Sequence, residues 1–261
     1  MRIDLDGKVA LVTGATGDLG RVMVRTLASC GADVAVHFHQ NSAKAEELCA
    51  EIAGMGRRAT AVQADVTELP SVESMQRHVE GILGAPDIIV NNAVIQYEWK
   101  QILEQDPEDY EGQFRSSVLH NLHMTKCFVP AMIEKCWGRV IGINTECSSQ
   151  CWPNQSAYVT GKHGMNALLL TLAKEVGRHG ITVNQIAPGW MFSDRYRTED
   201  DRTGESLKTT GPYAQMLPLK HRGDDQDIAN VVAFLASDLA GFVTGALIPV
   251  NGGGATIPSW L

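Results

Sequence analysis

No run of apolar residues in this chain approaches the roughly 20 that a membrane-spanning helix needs, so a membrane partner is not expected. The opening MRIDLDGKVALVTG also lacks the basic start and apolar stretch of a secretory signal, and a cytoplasmic protein is expected. The six cysteines (Cys30, Cys49, Cys127, Cys136, Cys147 and Cys151) include no CxxC pair. That excludes the spacing of a structural zinc site or a disulfide framework, and most are expected to be buried reduced thiols. His120 and His123 share a helix face, but no carboxylate or third ligand follows at helical spacing. They read as solvent or interface histidines, and no metal is expected. Positive charge is scarce as well: 22 Lys and Arg against 30 Asp and Glu give a net charge of -8, with no basic block. A phosphate-tracking surface is disfavoured, and with it nucleic acid as a partner.

What is present is the material of a globular fold, 44% hydrophobic and 20% charged over 261 residues, and one domain spanning 1–261 is expected. Short β-branched runs alternate with helical patterns. Strands are predicted at 8–13, 33–38, 58–63, 88–90, 139–143, 182–186 and 246–250. Helices are predicted at 21–29, 42–55, 69–83, 110–136, 157–177 and 225–237. This alternation predicts an α/β fold whose parallel sheet is covered by helices on both faces. The polar stretch from Trp190 to Pro218 breaks the rhythm and reads as a lid over a pocket.

Thr13-Gly14-Ala15-Thr16-Gly17-Asp18-Leu19-Gly20 lies between the first strand and the first helix. Glycines there let the backbone turn tightly and approach a pyrophosphate at a helix N-terminus, which predicts a dinucleotide site on a doubly wound, Rossmann-type sheet. Further along, Tyr158 and Lys162 stand four residues apart on one helix face. A cation so placed can stabilise the phenolate of a residue whose ordinary pKa is about 10, as proton transfer near neutral pH requires. At the end of the second strand, Phe38-His39-Gln40-Asn41-Ser42 holds no acid to bond an adenosine ribose. A 2′-phosphate needs that absence, so NADP(H) is favoured over NAD(H).

Together these segments resemble the short-chain dehydrogenase/reductase family over nearly the whole chain, and its 3-oxoacyl reductase-like members in particular. The resemblance implies cofactor contacts from Thr13, Gly14, Gly17, Leu19 and Gly20, with Asp18 in the place of the family's middle glycine, where it is expected to cap the first helix. It implies further contacts from His39, Asn41 and Ser42; from Asp65 and Val66 on the adenine; from Asn92 and Ala93, with Val94 replacing a glycine; and from Pro188, Gly189, Met191 and Ser193 on the nicotinamide side. Tyr158 becomes the general acid/base, and Lys162 holds the nicotinamide ribose. Thr145 stands where the family carries serine, with Ser148 as a substitute. Ser117 stands at the family's catalytic asparagine, with Asn121 one helical turn further on. The implied reaction is hydride transfer between a nicotinamide and a carbonyl or alcohol substrate, which a ketone, a 3-oxoacyl thioester or a sugar-like hydroxy compound would all fit.

Trp99, Trp152, Asn154, Trp190 and Met191 are candidates for the pocket lining, with Glu146 as a polar selector. Relatives pair through the long middle helix and the helix carrying Tyr158, so a homo-oligomer, dimer or tetramer, is implied. A rival reading is a cofactor-binding sensor or scaffold that has lost catalysis, motivated by the departures at Asp18, Val94, Ser117 and Thr145.

Overall fold

The computed structural model describes residues 3–193 and 207–254. Positions 194–206 of the expected lid lie outside the described residues. The strands are β1 (Val9–Val12), β2 (Asp33–Phe38), β3 (Ala59–Gln63), β4 (Ile88–Asn91), β5 (Gly138–Ile143), β6 (Ile181–Pro188) and β7 (Leu247–Val250). They form one sheet in the order β3-β2-β1-β4-β5-β6-β7, and every pairing is parallel. The helices are α1 (Asp18–Ser29), α2 (Ser42–Gly54), α3 (Leu69–Ile82), α4 (Pro107–Gln113), α5 (His120–Lys135), α6 (Cys147–Gln150), α7 (Ser156–Val176), α8 (Leu207–Thr210), α9 (Pro212–Met216) and α10 (Asp225–Ala236).

Successive strand side chains point to opposite faces, and in β1 Ala10 and Val12 join one core while Val9 and Leu11 join the other. The first core is closed by Met23 and Leu27 of α1, Ile52 of α2 and Val232 of α10. Met75 of α3, Phe128 of α5 and Leu169 of α7 close the second. This double cover explains why a central strand such as β1 reads as a continuous apolar run rather than an alternating one. Among the described residues no helix is long and apolar enough to cross a membrane.

Two departures from the sequence reading matter for the site. The helix predicted over 110–136 is broken: a π-helical segment, Phe114–Leu119, separates α4 from α5. Periodicity reports an apolar stripe but not a widened turn, and such segments recur at functional sites. The short α6 follows β5, where no helix was predicted.

Cysteine burial also differs. Cys127 is buried, Cys30, Cys49 and Cys147 are half-buried, and Cys136 and Cys151 are exposed; all six are free. His120 is a core residue, 1% exposed, and not the solvent or interface histidine expected. Burial holds its pKa down at about 3. His123 bonds the Val66 carbonyl, and no metal-binding group of His, Cys, Asp or Glu occurs among the described residues.

Asp87, 7% exposed, ties the lower edge of the sheet together. Its carboxylate accepts from the Val9 N–H at 3.0 Å and from Lys135 Nζ at 2.8 Å, joining β1, β4 and the end of α5. Replacing one partner leaves a buried donor unpaired, which costs more than the bond's net worth. Asp87→Ala is therefore expected to destabilise the fold by about 2 kcal/mol, read as a lower urea midpoint at unchanged m-value.

Candidate active site

The first turn after β1 is built around two glycines. Gly14 has φ of +62°, a region that side chains disfavour, and a Cβ at Gly20 would lie 2.2 Å from the Gly14 carbonyl oxygen. Gly17 is the N-cap of α1, without a side-chain cap. Asp18 therefore does not cap the helix as expected. It occupies the first helical position, where its carboxylate accepts from Ser193 Oγ at 2.9 Å and lies 3.5 Å from Arg21.

Thr13 is fully buried beneath this turn and does not line the cavity above it. Its hydroxyl accepts from the backbone N–H groups of Asn92 and Ala93 at 2.8 and 3.1 Å. The Asn92 amide in turn donates to the carbonyls of Thr13 and Gly14. The ends of β1 and β4 are thus stitched to each other.

His37 completes the cradle. Gly14 N–H donates to its Nδ1 at 2.9 Å, and its Nε2 lies 3.0 Å from the Ala64 carbonyl. An Nδ1 that accepts and an Nε2–H that donates define the neutral imidazole, and burial holds the pKa at about 4. The only sign of His37 in the sequence is a polar residue set among the apolar Val34, Ala35, Val36 and Phe38.

Above these groups opens a cavity of about 670 Å³ at the carboxyl ends of the strands. Such a volume suits a nucleotide-sized ligand, and α1, twelve residues long, begins at its floor. Of the residues expected to hold a cofactor, Gly14, Gly17, Asp18, Leu19, His39 and Asn41 line it. Asp65, Val66, Asn92, Ala93, Pro188, Gly189, Met191 and Ser193 line it as well, and Ser193 reaches Asp18 at 2.9 Å. Thr13, Gly20 and Ser42 are not in the lining; the first two shape the turn, and Ser42 begins α2. Asn41 spends its side-chain oxygen on the Lys44 N–H as the cap of α2. At Asp65, burial opposes the charge, but the hydroxyl and N–H of Thr67, with His39 and His37 nearby, hold its carboxyl below the usual range.

Tyr158, Lys162 and Thr145 meet on one side of the same cavity. Burial pushes the Tyr158 phenol up, and a hydrogen bond from Thr145 is the influence that lowers it. Lys162 is 4% exposed, and its ammonium donates to the Ile143 carbonyl at 2.7 Å. Nζ stands 5.7 Å from the centre of the Tyr158 ring. Burial lowers its pKa to about 8. The spacing of four residues brings the pair together as expected.

Asn144, unnoticed in the sequence, fixes both neighbours. Its amide donates to the Lys162 carbonyl, and its oxygen accepts the Thr145 N–H at 2.8 Å. Tyr97 accepts the Tyr158 N–H at 2.8 Å, and Trp99 stacks over the Tyr158 ring at 6.4 Å.

Several expected residues sit elsewhere. Ser117 is buried outside the cavity lining; its carbonyl accepts the Asn121 amide at 2.7 Å, and its hydroxyl has no partner. Ser116, one residue earlier on the π segment, lines the cavity instead. Asn121 accepts from Asn91 and lies outside the lining too, as does Ser148, whose hydroxyl donates to the Thr145 carbonyl. Trp190 lines the cavity. Trp152 and Asn154 line a separate hollow of about 550 Å³, and Glu146 is buried behind the wall rather than facing a ligand.

A family profile described as "Enoyl-(Acyl carrier protein) reductase" matches residues 14–255. The 3-oxoacyl-(acyl-carrier-protein) reductase FabG of Staphylococcus epidermidis is 34% identical over 246 residues, covering 94% of this chain and 98% of its own. The chain belongs to the short-chain dehydrogenase/reductase family. The FabG of Pseudomonas aeruginosa is likewise 34% identical, over 252 residues, with 96% and 98% of the two chains covered. A solved double mutant of a Serratia marcescens short-chain dehydrogenase/reductase superposes with a TM-score of 0.84 at 26% identity, covering 96% of this chain and 99% of that one. As a member of this family, the protein is an NAD(P)-dependent oxidoreductase.

In this dehydrogenase/reductase the close approach at Gly20 gives a direct test. A methyl there meets backbone on two sides, the Gly14 carbonyl at 2.2 Å and the Ala15 Cα at 2.8 Å. Gly20→Ala is expected to weaken nucleotide binding by about tenfold or more, measured by fluorescence titration with NADPH and NADH.

Proposed function

We propose that the protein reduces a carbonyl group, with NADPH as hydride donor and Tyr158 as proton donor, and that 3-oxoacyl thioesters are the substrate class to which it belongs. The observation that supports this most is the meeting of Tyr158, Lys162 and Thr145 in one cavity with the glycine turn. The substrate class comes from the names of the FabG relatives.

The cavity fits a dinucleotide by its own features: a turn that excludes Cβ atoms, a helix N-terminus at its floor and polar residues at both ends. The bound nicotinamide supplies a hydride. The remaining work falls to the chain. Thr145 donates its hydroxyl to the substrate oxygen and so fixes which face of the carbonyl is presented. Tyr158 passes its phenolic proton to that oxygen as negative charge develops on it. Lys162, with a pKa of about 8, is charged at pH 7, and its ammonium offsets the cost of the phenolate left behind. Asn144 keeps Thr145 and Lys162 in register. Trp99 packs against the Tyr158 ring.

At the adenosine end, His39, Gln40 and Asn41 line the cavity and none carries a carboxylate, which favours a phosphorylated ribose. The exposed Phe114 and Leu122, beside and within α5, support pairing of two copies along that helix, as expected for a homo-oligomer.

Tyr158→Phe is expected to lower kcat by about 100- to 10,000-fold while leaving the NADPH dissociation constant unchanged. The check is steady-state kinetics with acetoacetyl-coenzyme A beside a panel of ketones. Retained turnover in a folded variant would remove Tyr158 from its role, and binding without turnover in the parent protein would favour a sensor. On the cofactor, the KM for NADPH is expected to lie about tenfold or more below that for NADH; a clear preference for NADH overturns this reading.

A further inference from the structure

Glu146 follows Thr145 directly and is 4% exposed. Its carboxylate gathers donors from two separate stretches of chain. The Tyr213 hydroxyl, on α9, donates to Oε1. The Asn251 amide, just past β7, donates to Oε2 at 3.0 Å. Among the described residues no cation pairs with it, so a buried negative charge is held by neutral donors alone, and burial pushes its pKa up. An arrangement of this kind is costly unless each donor is matched.

The packing around the carboxylate is closed. A Cβ at Gly254 would lie 2.6 Å from Oε2, and one at Gly189 would lie 2.9 Å from both the Tyr213 oxygen and the Asn251 Cβ. The Tyr213 hydroxyl also accepts the Trp190 N–H at 3.1 Å, and the two rings pack at 5.5 Å. On its other side Glu146 is fixed by its own N–H, which donates to the Pro188 carbonyl at 2.9 Å. One carboxylate therefore joins the strand end that carries Thr145 to the wall formed by Trp190 and Tyr213.

We propose that Glu146 is a positioning residue, whose carboxylate clamps α9 and the Trp190 segment against the Thr145 strand end and so sets the binding site for the carbonyl substrate. It acts through Thr145, Trp190 and Tyr213 and touches neither substrate nor cofactor. The inference rests on the carbonyl-reductase reading for its kinetic readout but not for its structural one.

The test exploits donor and acceptor polarity. In Glu146→Gln the side-chain shape is kept, yet in either amide orientation the glutamine oxygen can accept from only one of the two side-chain donors. Adding Asn251→Asp reverses the second contact: the glutamine amide donates to the new carboxylate, and its oxygen accepts from Tyr213. Glu146→Gln is expected to raise the KM for acetoacetyl-coenzyme A about tenfold, with kcat within about threefold and the NADPH dissociation constant within about twofold of the parent. The double variant is expected to return KM to within about threefold of the parent. Tyr213→Phe should raise KM in the same direction and add nothing on top of Glu146→Gln.

Backbone hydrogen exchange over 186–191 and 208–217 is measured on the same proteins. It should quicken in Glu146→Gln and slow again in the double variant. An unchanged KM in Glu146→Gln, or a double variant no better than the single one, overturns the proposal. If the parent protein reduces no thioester, the substrate reading fails and the exchange experiment decides alone: faster exchange reversed by Asn251→Asp supports the clamp, and unchanged exchange overturns it.

Discussion

At the end of β1 the chain leaves through the glycine turn toward β2, while β4 arrives on the opposite side of β1. The crossovers on the two sides carry their helices to different faces, so no helix covers the gap between the strand ends, and a crevice opens there. The fully buried Thr13 hydroxyl holds that divergence in place by accepting the N–H groups of Asn92 and Ala93 across the gap. The glycine turn, the helix N-terminus and the asparagine strand end depend on this stitch for their relative positions.

The catalytic side depends on it at one remove. β5 pairs with β4, and its end delivers Asn144 and Thr145. Asn144 then secures the α7 turn that carries Lys162, while Tyr97 takes the N–H of Tyr158. The result is a buried ammonium and a phenol separated by a ring-to-cation distance of 5.7 Å. Their charge states are set by opposite responses to the same burial, which raises the phenol and lowers the ammonium.

Much of this was legible in the residues. The alternation of apolar runs and helical patterns located all seven strands to within a residue or two; the reason is plainest in β1, which is buried on both faces and apolar throughout. Tyr158 and Lys162 were legible because four residues on a helix always share a face. The offset between Ser117 and Ser116 was not, since it turns on a π-helical widening that apolar periodicity does not encode. Asp18 read as a cap from its place at a helix start, yet Gly17 holds that position and the carboxylate pairs with Ser193, 175 residues away.

Sequence by itself determined the sheet, the glycine turn and the tyrosine–lysine pair, because each follows from local geometry that a few consecutive residues impose. Only the tertiary structure decided the partners of the buried polar groups: His37 on Gly14 and Ala64, Asn144 on Thr145 and Lys162, Glu146 on Tyr213 and Asn251. A buried donor or acceptor must be matched by whatever group the fold brings within about 3 Å, and that group can come from anywhere along the chain.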